Sequence, residues 1–182
     1  MMYRKTYSSP IGLLEMESDG TYLTGLWFEK AKKSPSHGSA WMGKDLPIFE
    51  SVSRWLDIYF AGKIPDFTPE YKVLNATPFR KQVIDLICRI PYGKVVTYKD
   101  IANKIARSRG LKRMSAQAVG GAVGWNPIGI IIPCHRVVGS TGNLTGYAGG
   151  IDKKIQLLEI ENHSMNEFKM PKNYVQRGKT HK

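Results

Sequence analysis

Thr77–Val123 reads TPFRKQVIDLICRIPYGKVVTYKDIANKIARSRGLKRMSAQAVGGAV, and this stretch decides the fold. Thr77 is a helix N-cap and Pro78 suits the first helical position. Phe79, Val83, Leu86, Ile87 and Ile90 then recur at helical spacing. Cys88, beside Ile87 and Ile90, reads as a core residue. Pro91-Tyr92-Gly93 breaks the pattern, and Val95–Tyr98 is short and β-prone. Lys99–Ala106 predicts an amphipathic helix, Ser108–Lys112 a basic turn around Gly110, and Ser115–Val123 a second, small-residued helix. Helix, basic turn and small helix make the outline of a helix-turn-helix. Many helical hairpins share that outline, so it names no partner by itself.

Upstream the pattern changes to period two. Met2–Ser8, Leu13–Glu17 and Tyr22–Phe28 alternate, separated by turn signals at Pro10-Ile11-Gly12 and Asp19-Gly20. A Gly/Ser/Pro-rich loop, AKKSPSHGSAWMGKDLP, follows at residues 31–47. Phe49, Val52, Trp55, Leu56, Tyr59 and Phe60 return to helical spacing, closed by Gly62. Ile64–Tyr71, with two prolines, reads as a linker. The expected class is α+β. A small α/β N-terminal domain (1–70, structural support) precedes a mainly helical domain with a helix-turn-helix (71–165). A basic tail (166–182) is expected to be disordered.

The charge is lopsided. Residues 1–70 carry 8 Lys+Arg against 9 Asp+Glu, and residues 71–182 carry 19 against 6. A basic second part points to a polyanion. No run of 18 apolar residues occurs, so no membrane span is expected. The N-terminus lacks a secretory pattern, which predicts a cytoplasmic location. Cys88 and Cys134 form no C-x-x-C pair, and the histidines at 37, 135, 163 and 181 are scattered. The expectation is no disulfide, no metal and no cofactor.

After Trp125-Asn126-Pro127 comes an apolar run, Ile128–Ile132, that reads as a buried strand. It leads into Pro133-Cys134-His135-Arg136-Val137-Val138. An imidazole beside a thiol can raise the thiolate fraction. Adjacent residues need not face each other, so a reactive thiol and a buried cysteine beside an incidental histidine both fit. The wider context is more specific. The run Pro133–Val137, preceded by Asn126-Pro127 and followed by Tyr147-Ala148-Gly149-Gly150, resembles the O6-alkylguanine-DNA alkyltransferase family. So do the Phe79-Arg80-Lys81-Gln82-Val83 helix start, GKVVTYKDIA at 93–102 and AVGGAVG at 118–124. The resemblance runs from Ala76 to Glu161 and is looser over the N-terminal strands and helix.

The resemblance implies that Cys134 accepts an alkyl group and that His135 is its base, acting through a water. It makes Glu161 the residue orienting that imidazole and Asn126 the brace of the turn. Tyr98 becomes the proton donor to the departing guanine. Val138, Tyr147, Ala148 and Gly149 wall the base pocket. The nucleotide must be flipped out of the duplex. Ser115–Val123 becomes a recognition helix in the minor groove. Ser115, Ala116, Gln117, Gly120 and Gly121 lie against DNA, and Lys99, Arg109, Arg113 and Arg136 are expected DNA contacts. Gln117 stands where many relatives have an arginine filling the gap left by the base. Ala148 stands where some have serine.

These features predict a monomeric protein that repairs double-stranded DNA with little sequence specificity. It transfers an alkyl group from O6-alkylguanine, and by the same chemistry from O4-alkylthymine, irreversibly to its own cysteine in a single turnover. The alternative is a non-enzymatic binder of alkylated lesions. Such relatives lack the cysteine, so Cys134 favours the methylated-DNA–protein-cysteine methyltransferase reaction.

Overall fold

The computed structural model describes residues 1–29, 31, 45–172 and 174. Three antiparallel strands, β1 (Tyr3–Ser9), β2 (Gly12–Ser18) and β3 (Leu23–Phe28), form a sheet in that order. They are the three alternating segments. Asp19 Oδ1 accepts from the backbone N–H groups of Thr21 and Tyr22, an Asx turn that closes the second hairpin. Leu14, Met16, Leu23 and Leu26 are buried beneath the sheet. Helix α1 (Pro47–Phe60) packs against it through an apolar face that includes Phe49, Val52, Leu56 and Tyr59. Gly62, at φ +73°, donates to Tyr59 O, and Lys63 N donates to Ile58 O. That pair of bonds is the Schellman closure a glycine permits. Most of the loop read at 31–47, His37 included, lies outside the described residues.

Helix α2 (Pro78–Ile87) starts on the expected cap, Thr77 Oγ1 accepting from Arg80 N at 3.3 Å. Next comes β4 (Val96–Thr97), then α3 (Tyr98–Ser108) and α4 (Ala116–Val123). Thr97 and Asp100 form a reciprocal capping box at the start of α3, and Ser115 caps α4. Helix α4 packs against both α2 and α3. Strand β5 (Val137–Val138) pairs parallel with β4, and α5 (Ile151–Ile160) is the last α-helix among the described residues.

One apolar core runs through both parts, from Leu14 and Phe49 to Val119, Ile128 and Leu157. The edge of β3 is tied to the segment before the cysteine: Leu26 N donates to Pro127 O, and Gly129 N donates to Leu26 O. Residues 70–72 are hydrogen-bonded along β3 at Leu23, so the expected linker is fastened to the sheet. Among the described residues no helix is long and apolar enough to cross a membrane.

Three expectations are corrected. Ile128–Ile132 is a series of turns, not a strand. Its side chains are apolar because they are buried, and burial without alternation cannot distinguish the two. Cys88 is exposed, with its Sγ 3.5 Å from the Tyr71 hydroxyl. The buried stripe of α2 is Val83, Ile84 and Ile87, continued by Ile90, and Cys88 falls one helical step off it. The start of the tail is ordered, because Phe168 gives it an apolar anchor against Val138, Leu144, Ile155 and Leu158. Leu144 N donates to Lys169 O and Lys169 N to Gly142 O. Residue 173 and residues 175–182 lie outside the described residues.

The Thr97 cap sets the first turn of α3. Thr97→Ala is expected to lower the unfolding free energy by about 1 kcal/mol in urea titration, the usual worth of such a cap.

Candidate active site

The segment before Cys134 is shaped by one side chain. Asn126 Oδ1 accepts from Ile128 N at 3.0 Å. Its Nδ2 shares two hydrogens among Ile128 O (3.2 Å), Ile132 O (2.9 Å) and Cys134 Sγ (3.2 Å). Pro127 contributes no N–H, and the Asn126 amide supplies what the backbone lacks there. Ile130 sits at φ +66°, a conformation costing about 1–2 kcal/mol for a branched side chain. It is held there by burial, being 1% exposed. Cys134 follows in a single 3-10 turn, Cys134–Arg136, with 9% of its surface exposed.

His135 and Glu161 form a buried pair, with His135 Nε2 2.6 Å from Glu161 Oε1. The same carboxylate takes Arg136 Nε at 2.8 Å and Nη2 at 2.9 Å, the Tyr59 hydroxyl at 2.8 Å and Gly93 N at 3.1 Å. Burial pushes the Glu161 carboxyl up. The hydrogen bonds and charges of His135 and Arg136 outweigh it and bring it down to about 2. Burial likewise pushes the His135 imidazolium down, more than Glu161 pulls it up. A neutral imidazole this close to a carboxylate carries its hydrogen on Nε2, which leaves Nδ1 as the base. Nδ1 is buried and has no protein partner among the described residues. Burial also raises the Cys134 thiol, against the Asn126 hydrogen bond and the charge of Lys154. Those opposing causes are outweighed, so the thiol is held above its ordinary range, with His135 next to it in the chain.

Tyr98 opens α3, and its hydroxyl donates to Thr145 O at 3.3 Å. Burial foremost raises the phenol to about 12. Lys154 is fully buried on α5, donating to Val137 O at 2.6 Å and Thr145 O at 2.9 Å. Its burial lowers it to about 8.

Two hollows meet here. A groove of 680 Å³ runs between α4 and residues 139–148, lined by Tyr98, Lys99, Ala116, Gln117, Gly120 and Tyr147 among others. The thiol itself opens into a smaller cavity of 30 Å³ with Trp27, Phe28, Ile130 and Gly149 on its walls. Tyr147 and Ala148 line both. The large groove suits a base, and the small cavity suits a group the size of a methyl or a water. Gly149 is required by space, since a Cβ there would lie 2.8 Å from Phe28 Cδ2.

The structure thus joins Cys134, His135, Glu161 and Asn126, and sets Tyr98, Tyr147 and Ala148 along the groove. Val138 differs: its side chain packs with Leu144 and Phe168 and lines neither hollow. Ser115, Gln117, Gly121 and Arg113 are exposed along α4 and the turn before it. Arg109 is exposed but held against α2, its Nε on Gln82 Oε1 and its guanidinium over Phe79. Arg136, expected at DNA, is corrected. Its guanidinium is committed to Glu161 and to Ile90 O, and it lies over the Tyr92 ring. Sequence reasoning missed Lys154 and the hydroxyl role of Tyr59. Lys154 was visible as a charge on the apolar face of α5, between Ile151, Ile155 and Leu158.

Fold and site together define a two-part protein with a cysteine thiol next in the chain to a buried histidine–carboxylate pair. The model of the 6-O-methylguanine DNA methyltransferase ribonuclease-like domain matches residues 2–70, and that of the family's DNA-binding domain matches residues 78–163. The chain belongs to the 6-O-methylguanine DNA methyltransferase family, and its activity is alkyl-transfer DNA repair. The methylated-DNA–protein-cysteine methyltransferase of Mycobacterium leprae is 38% identical over 91% of this chain and 95% of its own. That of Methanosarcina barkeri is 40% identical over 90% and 99%. The structure of Mycobacterium tuberculosis OGT in complex with DNA is 38% identical, covers 91% of this chain and 94% of that one, and superposes with a TM-score of 0.74.

Removing the Glu161 charge strands Arg136 in the interior. Glu161→Gln is expected to lower stability by about 3 kcal/mol at neutral pH in urea titration. The carboxyl's folded value of about 2 lies below its ordinary 4.5. Its contribution is therefore complete above about pH 4.5 and fades as the pH falls toward 2, so wild type and variant converge over that window.

Proposed function

We propose that this chain removes an alkyl group from O6-alkylguanine in double-stranded DNA and keeps it on Cys134. The observation that carries this reading is the thiol held by Asn126 next in the chain to the buried His135–Glu161 pair, in a cavity that shares Tyr147 and Ala148 with the groove under α4. The target oxygen is inaccessible in a duplex, so the nucleotide is flipped into the groove from the minor-groove side. Gln117 is exposed on the groove-lining face of α4 and fills the gap left in the stack. Lys99, Arg109 and Arg113 contact phosphates, which positions the helix without reading sequence.

The chemistry is one displacement. His135 Nδ1 takes the Cys134 proton through a water, and the thiolate attacks the alkyl carbon. The S–C bond forms as the C–O6 bond breaks, and its electron pair passes to the guanine. Tyr98 gives the guanine a proton, neutralising the charge that develops on it. The phenolate recovers that proton from the His135 imidazolium through solvent. A thioether is not hydrolysed, so each chain acts once as a monomer and needs no cofactor. O4-alkylthymine presents the same alkyl–oxygen bond. Residues 71–165 carry the reaction, in the cytoplasm.

Intact mass after incubation with an O6-methylguanine duplex tests this. A gain of about one methylene on wild type, mapped to Cys134 and absent from Cys134→Ser, is the expected result. No gain with tight lesion-specific binding retained means a lesion binder. Tyr98→Phe is expected to slow the transfer by about a hundredfold, the usual share of a general acid, as measured by single-turnover kinetics.

A further inference from the structure

Helix α1 belongs to the N-terminal part, yet its Tyr59 reaches the reaction centre. Tyr59 is fully buried. Its hydroxyl donates to Glu161 Oε1 at 2.8 Å and lies 3.3 Å from His135 Nε2. On the reading proposed above, we propose that Tyr59 is a positioning residue for the transfer. Its hydroxyl, given to Glu161, completes and tempers the acceptor that holds the His135 hydrogen on Nε2, keeping the ring neutral so that Nδ1 can take the Cys134 proton.

The argument is one of hydrogen counting. A phenol has a single hydrogen, and here it points at the carboxylate. None is left for Nε2, so Nε2 must supply its own to meet Oε1 at 2.6 Å. A bare Nε2 would set lone pair against lone pair. Burial foremost, then Glu161, hold the phenol well above its ordinary range, so it stays a donor whenever the protein is folded. The ring is fixed by its neighbours. It stacks on Trp55 at 5.4 Å and 7°, and meets Tyr92, Phe60 and His135 edge-on. Other ionisable groups also face this network: Arg136 on the same carboxylate, Lys154 from α5, Tyr92 before β4 and Tyr147 from the groove wall. Among those named, Tyr59 alone comes from the N-terminal third. That third therefore does more than support the second part.

Tyr59→Phe keeps the ring and its stacking and deletes one hydrogen bond. Methyl transfer from an O6-methylguanine duplex is followed against pH at saturating DNA, with duplex affinity measured separately. The first-order step is expected to fall about fivefold and affinity to stay unchanged. The acid limb of the profile is expected to move up by about half a pH unit, because a carboxylate with one donor fewer holds the imidazolium more strongly. Tyr92→Phe, which loses only a bond to Ile160 O, is the control and should leave the limb in place. An unmoved acid limb in folded Tyr59→Phe, whatever its rate, overturns the proposal, as does an equal shift in Tyr92→Phe. Should Tyr59→Phe not fold, 3-fluorotyrosine at position 59, a stronger donor to Glu161, takes its place: a His135 titration by nitrogen-15 shifts that moves down from the wild type supports the proposal, and an unmoved one overturns it. Absence of transfer by the wild type counts against the function proposed above and leaves that titration intact.

Discussion

A single buried carboxylate organises this molecule. Glu161 is 2% exposed, and its two oxygens gather donors from α1, from the turn before β4 and from the cysteine's own 3-10 turn. An unmatched buried carboxylate costs several kcal/mol, so the charge is tolerable only when those segments are assembled around it. Arg136 supplies the balancing charge, which lets His135 stay neutral against the same carboxylate. The same arrangement explains why an arginine two residues after Cys134 points inward.

A second bracing system works through backbone carbonyls. Lys154 ties Val137 O to Thr145 O, and Tyr98 shares Thr145 O from the other side. The strand that follows Cys134, the wall of the groove and the first residue of α3 are thereby brought together around one ammonium. Burial penalises the charged form of each, which is why the lysine titrates below its ordinary range and the phenol above it.

Local signals were legible and tertiary ones were not. Thr77-Pro78, Gly62 and Asp19-Gly20 act through neighbours in sequence, and the caps and turns they announced are present. Strands and helices followed from periods of two and 3.6. The Pro-Cys-His-Arg run led to the thiol, His135, Asn126 and Glu161. Ile128–Ile132 misled because an irregular buried segment has no period. Cys88 misled because one residue's slip around a helix turns a core position outward. Arg136 and Lys154 are the deeper failures. Basic residues are read as solvated by default, and only the fold shows which ones have a buried anion or carbonyl to meet. Tyr59 was read as apolar filling, since nothing local reveals a carboxylate 102 residues away.

That separation bears on how the chain comes into being. Glu161 follows every other member of the site in sequence, and its partner Tyr59 is made long before it. During synthesis the sheet, α1 and the helix pair can gather while the carboxylate is still unmade. The imidazole then has no acceptor, and the cysteine is an ordinary thiol. On the function proposed above, reactivity therefore arrives only once Glu161 has been added, and a chain interrupted before it cannot carry a primed nucleophile.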